Sequence, residues 1–173
     1  MGTENVKLGV CSVTYNSIDL GLTKGGVEVD VSTETHEVIV DQFGNAPVNE
    51  YVIARKVTIK VPLAETTLIN LAAIMPGTTI ITDGVTPTKK RADITNATGI
   101  NLLALAHKLV LHPKALGALD KSEDFVVPLA GTSGAISFAY KLDEERIFNV
   151  EFKAYPNSTS GLLFTIGDET ATP

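Results

Sequence analysis

Three histidines and a single cysteine are the residues of this chain with the clearest potential for catalysis or metal binding. His107 and His112 are five positions apart, and His36 is distant from both. Five positions along a strand place two side chains on opposite faces, so this pair does not converge on a metal ion. Cys11 shares a strand face with Val13, which favours a small buried residue over a nucleophile paired with a histidine. We expect neither a metal site nor a thiol centre.

Two charged clusters are the next candidates for chemistry. Asp143-Glu144-Glu145 contains enough carboxyl groups for an acid and a base, but a solvated turn lacks the burial that separates their pKa values. Lys89-Lys90-Arg91 is the only basic run, and nucleic-acid recognition needs a wider patch or interleaved aromatic residues. The run therefore predicts an exposed loop or a salt-bridging contact with a neighbouring subunit.

The motifs of the common enzyme classes are missing from the sequence. It has no Gly-x-x-x-x-Gly-Lys-Ser/Thr phosphate loop, no Gly-x-Ser-x-Gly nucleophile elbow and no His-Glu-x-x-His zinc motif. A lone cysteine also excludes an internal disulfide and a cysteine-based zinc site, as is typical of a protein made in a reducing cytoplasm. We predict a protein that is not an enzyme and has no cofactor.

Length and composition indicate what kind of scaffold positions these residues. The 173 residues suffice for one domain with a core, and 44% of them are hydrophobic. Val, Ile and Thr number 17, 13 and 20, so β-branched residues are abundant and favour strands. The net charge of −6 disfavours binding to phosphate backbones, and the absence of Trp disfavours stacking of sugars or bases. No run approaches the roughly 20 apolar residues that cross a bilayer, and residues 1–7 lack the pattern of a signal peptide.

An alternating stretch from Val27 to Thr33 predicts a strand with two different faces. The odd positions include Val27, Val29 and Val31, whereas Glu28, Asp30 and Ser32 occupy the even positions. We expect the valine face to be buried against a second layer and the acidic face to be exposed.

A second alternating stretch runs from Tyr51 to Val61, and a polar segment over residues 41–50 separates it from the first. This segment predicts a long loop, because it contains a Gly-Asn turn signal and Pro47. Phe43 in such a loop would be exposed on an isolated monomer and indicates a partner surface.

One amphipathic helix is predicted between strands, because apolar residues recur at helical spacing. Its predicted packing residues are Leu68, Leu71, Ala72 and Met75.

The second half of the chain contains two further predicted β regions. Residues 100–111 are apolar on both faces, which fits a central strand or a buried helix, and we favour the strand. Residues 136–142 alternate and precede a second alternating run at 148–152, which predicts a hairpin turning at the acidic triplet. Residues 168–173 are predicted to form a flexible tail of a single domain spanning residues 1–173.

Three runs of the sequence resemble one known family. They are IDLGLTKGGV at residues 18–27, VIVDQFGNAPV at 38–48 and VPLAETTL at 61–68. In order and spacing they resemble the major tail proteins, or tail tube proteins, of long-tailed bacteriophages. The resemblance covers roughly residues 8–76, and the rest of the chain is compatible with the family through its strands and closing hairpin.

The resemblance implies a β-sandwich or barrel-like domain with one flanking α-helix and a long inter-strand loop. Copies of such a domain form hexameric rings that stack into a tube with a polar, acidic lumen. The tube conducts double-stranded DNA during ejection into the host without binding it specifically. The implied partners are further copies of the chain and other tail proteins such as the tape measure and the terminator. The implied location is the virion, after synthesis in the host bacterial cytoplasm and without membrane attachment.

We carry two functional surfaces over to this sequence. The lumen lining is assigned to Glu28, Asp30 and Ser32. The loop at residues 41–50 is assigned to contacts between subunits or rings, with Phe43 as the anchor. The named loop residues are Asp41, Gln42, Phe43, Gly44, Asn45, Pro47 and Val48.

Two other functions fit the same alternation. A β-sandwich module that binds proteins or decorates a capsid would stay monomeric or form a small closed oligomer. An enzyme on this scaffold would need a nucleophile with its base, or a metal constellation, and the sequence offers neither.

Overall fold

The computed structural model describes residues 9–96 and 98–172, and the described chain is mainly β with one short α-helix. A 3-10 turn over Asp41–Phe43 lies between the two longest strands. The elements are β1 (Cys11–Tyr15), β2 (Ile18–Asp19), β3 (Glu28–Ile39), β4 (Pro47–Leu63), α1 (Leu68–Ile74), β5 (Thr78–Thr82), β6 (Lys90–Ile94), β7 (His107–Pro113), β8 (Phe125–Thr132), β9 (Phe148–Ala154) and β10 (Thr165–Ile166).

The main sheet has the strand order β2-β1-β7-β8-β9-β4-β3, with β10 added to one end of β8, and its pairings are antiparallel. The chain leaving β2 at one end of this order returns to β4 near the other end. There Thr23 bridges Leu63, and the Ala64 N–H donates to the Leu22 carbonyl oxygen at 2.8 Å. The sheet therefore curls back on itself, which makes the fold sandwich-like or barrel-like, as the resemblance implied.

The core fills the inside of this curled sheet. Alternate residues of β1, β4, β7 and β9 point inward, as the period-two patterns require, and β8 contributes Val127 and Ala130. Phe152 is the largest fully buried side chain, and its ring lies 4.9 Å from that of Tyr15. The fully buried hydrophobic side chains include Val13, Leu20, Ile59, Val61, Leu63, Ile74, Leu109, Val127, Ala130 and Phe152.

Helix α1 packs through a face slightly different from the predicted one. Its buried residues are Asn70 and Ile74, whereas Leu68 is exposed and Met75 is the C-cap. Leu71 packs against the core as predicted. The Asn70 side-chain amide donates to the carbonyl oxygens of Leu20 (2.9 Å) and Glu65 (2.8 Å). The Asn70 amide is buried because it satisfies two backbone acceptors. As a result, the helix face that packs on the core differs from the predicted apolar face.

Two predictions for the second half of the chain need correction, and one hairpin was missed. Residues 100–106 form turns, and the strand begins only at His107. Residues 136–142 form no strand apart from a bridge between Ser137 and Asn149, although β9 forms as predicted. The β5–β6 hairpin was not predicted. It forms a separate two-stranded sheet that contacts α1.

The failed strand at residues 136–142 has a local cause in Arg146. Its guanidinium lies 5.9 Å from the ring centroid of Phe138 and 5.4 Å from that of Tyr140. It also donates to the Thr66 hydroxyl, through Nη2 at 2.6 Å and Nε at 2.9 Å. The rings of Phe138 and Tyr140 both pack around the guanidinium before the chain enters β9. This segment therefore bends around Arg146 and does not extend as a strand.

Candidate assembly surface

The β3–β4 hairpin extends beyond the rest of the main sheet as a free-standing ribbon. The last pair between β4 and β9 is Thr58 with Lys153, whereas β3 and β4 stay paired out to Ile39 and Pro47. We define the arm as residues 34–54, from the Glu34–Ala54 pair to the tip and back. The six residues from Glu34 to Ile39 extend roughly 20 Å along the strand. Within the described chain, neither outer edge of the arm pairs with a further strand.

The arm exposes large apolar side chains. Phe43 at the tip is 66% exposed, and Tyr51, Val52 and Ile53 on β4 are each more than half exposed. A lone two-stranded ribbon is marginally stable in water, and exposed apolar clusters mark interaction sites. The arm therefore has the properties of a surface that a protein partner covers.

The tip of the arm is a tight connection and not the long loop predicted for residues 41–50. Pro47, Val48 and the two residues after them already belong to β4, so the connection ends at Ala46. The Phe43 N–H donates to the Val40 carbonyl oxygen at 3.0 Å, which closes the 3-10 turn. Gly44 follows at a φ of 62° and a ψ of −132°, a backbone conformation that favours glycine. Gln42 and Asn45 are exposed, and the predicted exposure of Phe43 is confirmed.

A β-bulge in the arm changes which residues share a face. The register shifts between Glu34 and Thr35, so that Ile53 is the extra residue on β4. As a result Tyr51 pairs with His36 and lies on the face of Glu34, not on that of Val57 as the alternation predicted. Period two fails here because a bulge adds one residue to only one of the two strands.

The predicted lumen residues Glu28, Asp30 and Ser32 are all exposed on one face of β3. The predicted burial of the opposite face holds for Val27, which packs against the core, but is wrong for Val29 and Val31, which are 40% and 43% exposed. The reason is topological. Strand β3 is the edge of the sheet, and the buried side chains at these levels belong to β4, its neighbour.

The face of Glu28 and Asp30 also contains lysines, which belong to the neighbouring strands β4 and β9. Glu28 pairs with Lys60 at 3.3 Å, and Glu34 pairs with Lys56. Lys60 lies opposite Glu151 of β9, and Glu151 contacts Lys153 at 3.5 Å. This surface is therefore a mixed-charge face, with acids on β3 largely balanced by lysines on β4 and β9. Only the cross-strand register reveals this balance.

The histidines and the cysteine have separate contacts, although Cys11 and His112 lie on paired strands one register pair apart. His112 Nδ1 is 2.6 Å from Asp124 Oδ1, and His107 packs its ring edge-on to Tyr15. Cys11 is half-buried on β1, and burial raises the pKa of its thiol. Among residues 9–96 and 98–172, no group of three His, Cys, Asp or Glu side chains is placed to hold a metal ion.

The two predicted charged clusters are both exposed. The acidic triplet is a turn in which a hydrogen bond from Lys24 lowers the pKa of Glu145, and one from Lys141 lowers the pKa of Glu144. The basic run lies at the start of β6, where Arg91 pairs with Asp93 at 3.0 Å. The β-branched run at residues 78–82 was the sequence signal for the hairpin that carries it.

The C-terminal segment forms a turn. The Asp168 carboxylate accepts hydrogen bonds from the Thr170 N–H at 2.9 Å and the Thr170 hydroxyl at 2.7 Å, and these bonds lower its pKa. Glu169 pairs with Lys108 of β7. The last residue of the predicted tail, Pro173, and the start of the chain at residues 1–8 lie outside the described residues.

The surfaces of the described chain thus offer an arm, a mixed-charge sheet face and a basic hairpin. None of the helices in this part of the chain is long and apolar enough to span a membrane. Comparison of the chain with protein-family models and with curated protein sequences finds no match.

Proposed function

We propose that this chain is the building block of a tube, in which identical copies join side by side into rings and the rings stack. The tube would be a phage tail tube, a virion structure that conducts double-stranded DNA. The resemblance of residues 8–76 to major tail proteins suggests this assembly. The observation that carries the proposal is the arm, a two-stranded ribbon with open edges and exposed apolar side chains.

An open arm suits a ring better than it suits a lone molecule. Unpaired edges invite uncontrolled pairing between chains, and soluble monomers usually cover or shorten them. In a ring, one surface of each copy meets a different surface of the next copy, so every arm has a defined place to dock. The exposed arm is then the surface through which one copy binds the next.

The free energy gained by burying the arm favours assembly that depends on protein concentration. Burying the four large exposed side chains of the arm, Phe43, Tyr51, Val52 and Ile53, contributes about 1 to 2 kcal/mol each, or about 4 to 8 kcal/mol. Association costs an estimated 4 to 15 kcal/mol in lost freedom. One arm contact alone is therefore weak, and a stable assembly needs the several contacts per copy that a closed ring provides.

We assign the mixed-charge face around Glu28, Asp30 and Ser32 to the lumen. Duplex DNA carries about one negative charge per 1.7 Å, so a wall with uncompensated lysines would retain it. On this face Lys56 and Lys60 are each paired with a glutamate of β3. Acids outnumber lysines on this face, so it has no net positive charge, which suits a conduit that DNA crosses without binding.

The lumen assignment is tested by reversing the acids of β3. In assembled tubes, Glu28→Lys with Asp30→Lys removes the carboxylate that pairs with Lys60 and adds two lysines to the face, while Lys56 keeps Glu34. The double variant should form tubes that retain short DNA duplexes at low salt, whereas wild-type tubes should not. Equal retention by both would remove this face from the lumen.

The proposed function itself is tested by mass and microscopy. We expect a monomer by sedimentation velocity in dilute solution, and hollow filaments by negative-stain electron microscopy after concentration. The tape measure and terminator proteins are the further partners that this role implies. A monomer or a small closed oligomer at every concentration would contradict the proposal and would favour a protein-binding or capsid decoration module.

A further inference from the structure

We infer that the arm of one copy docks onto the β5–β6 hairpin of a second copy, with the carboxylates of Glu37 and Glu50 facing Lys89, Lys90 and Arg91. The inference rests on the proposed self-assembly and adds to it the surface that receives the arm. It follows from an unfavourable feature of the arm and a complementary feature of the hairpin.

The unfavourable feature is a pair of like charges. Glu37 and Glu50 are directly opposed across β3 and β4, and carboxylates at such positions repel each other. Residues 34–54 contain two more acids, Glu34 and Asp41, and no Lys or Arg. Glu34 is balanced by Lys56, but Glu37, Asp41 and Glu50 form no ion pair within the described residues. The distal arm thus lacks its counter-charge.

Apolar side chains flank this carboxylate pair on the same face. Val52, opposite Thr35, lies two pairs closer to the main sheet, and Ile39 lies two pairs closer to the tip. Both are more than half exposed. The surface is therefore an acidic centre between two apolar side chains, and a matching partner needs cations beside apolar groups.

The β5–β6 hairpin has that composition. Lys89 and Lys90 are exposed and form no ion pair within the described residues, while Arg91 pairs with Asp93. Arg91 lies directly opposite Ile81, which is partly exposed, and Val85 in the connecting turn is almost fully exposed. Cations and apolar side chains thus occupy one tip of a hairpin whose strands contact α1.

The complementary charges of the arm and the hairpin favour a second copy of the chain as the binding partner. Both surfaces are open in the same chain, and no ion pair joins them within the described residues. Docking between copies would relieve the repulsion of Glu37 and Glu50 and would cover apolar groups on both sides. The two surfaces differ, so the contact is head-to-tail and generates rings or filaments.

Charge reversal tests the inference on the full chain. The hairpin variant is Lys89→Glu with Lys90→Glu, and the arm variant is Glu37→Lys with Glu50→Lys. Each places like charges across the contact, so the lowest protein concentration that yields polymer should rise about tenfold or more. An equimolar mixture should restore polymer, because each reversed surface then meets its complement on the other variant. Lys114→Glu with Lys121→Glu, two exposed lysines outside the hairpin, is the matched control and should assemble like the wild type.

The outcomes separate this inference from the proposed function. Circular dichroism of each dilute variant should match that of the wild type, because all four positions are exposed. Polymer from either variant at the wild-type concentration, or no gain on mixing, would overturn the docking inference while leaving the tube proposal in place. A wild type that never polymerises, as expected if a different protein covers the arm, would overturn both.

Discussion

Replacing Phe43 by alanine is the substitution that most directly separates the stability of the monomer from assembly. The side chain is 66% exposed at the tip of the arm, so the monomer loses little when it is truncated. An aromatic side chain buries about 150 to 250 Å², and two thirds of that area at about 25 cal/mol per Å² corresponds to about 2.5 to 4 kcal/mol. Allowing for incomplete burial at a contact, we expect a loss of about 2 kcal/mol per subunit added, or about 30-fold in affinity.

The assay measures the lowest protein concentration at which polymer forms. Polymer is pelleted from a concentration series, and the pellet is checked for tubes by negative-stain electron microscopy. Phe43→Ala should raise this threshold about 30-fold while leaving the unfolding midpoint of the dilute monomer unchanged within a few degrees. The matched control is Leu119→Ala, because Leu119 is 95% exposed and lies outside the arm.

Two results would refute this reasoning. An unchanged threshold for Phe43→Ala would mean that the tip of the arm remains exposed in the polymer. A monomer that unfolds much more readily would mean that the side chain packs within its own chain, contrary to its exposure.

The remaining predictions concern the chain by itself. Asn70→Ala should lower the free energy of unfolding by about 2 kcal/mol in urea titrations, because two carbonyl oxygens lose their donor, whereas exposed Ile69→Ala should change it little. Gly21→Ala should lower the free energy of unfolding by about 1 to 3 kcal/mol, because φ is 83° and the new Cβ would collide with the Glu65 carboxylate. That carboxylate accepts a hydrogen bond from the Leu22 N–H, which the collision would disrupt. Gly25→Ala, at a φ of 99° in open space, should cost only the backbone strain, and an equal loss would contradict the role of Glu65. Burial raises the pKa of the Cys11 thiol, so iodoacetamide at neutral pH should modify it more slowly than a thiol introduced by Leu119→Cys, and equal rates would contradict its burial.

The parts of the fold that the sequence could predict are those set by local periodicity. Strands β1, β3, β4 and β9 each alternate over five residues or more, and each is present in the structure. Helix α1 was predicted because apolar residues recur at helical spacing between strands. The side chain of Asn70 could not be placed, since one of the carbonyl oxygens that it satisfies, that of Leu20, lies 50 residues away in the sequence.

The candidate surfaces depend on pairing between strands, which a single sequence does not contain. The bulge beside Glu34 moved Tyr51 to the other face, and nothing in the alternation of β4 indicates it. The acids of β3 suggested an acidic wall, but their balance by Lys56 and Lys60 is visible only once the register is known. For the same reason, the opposed pair of Glu37 and Glu50 could not have been recognised from residues 13 positions apart.

The central claim is that identical copies assemble with each arm covered by a neighbour. A cryo-electron microscopy reconstruction of the polymer tests this claim most directly, because it locates the arm and the lumen in one measurement. The account predicts a hollow tube in which Phe43 is buried against an adjacent copy and the face of Glu28 and Asp30 lines the channel. A chain that stays monomeric at every concentration, or a polymer whose arms extend freely into solvent, would contradict it.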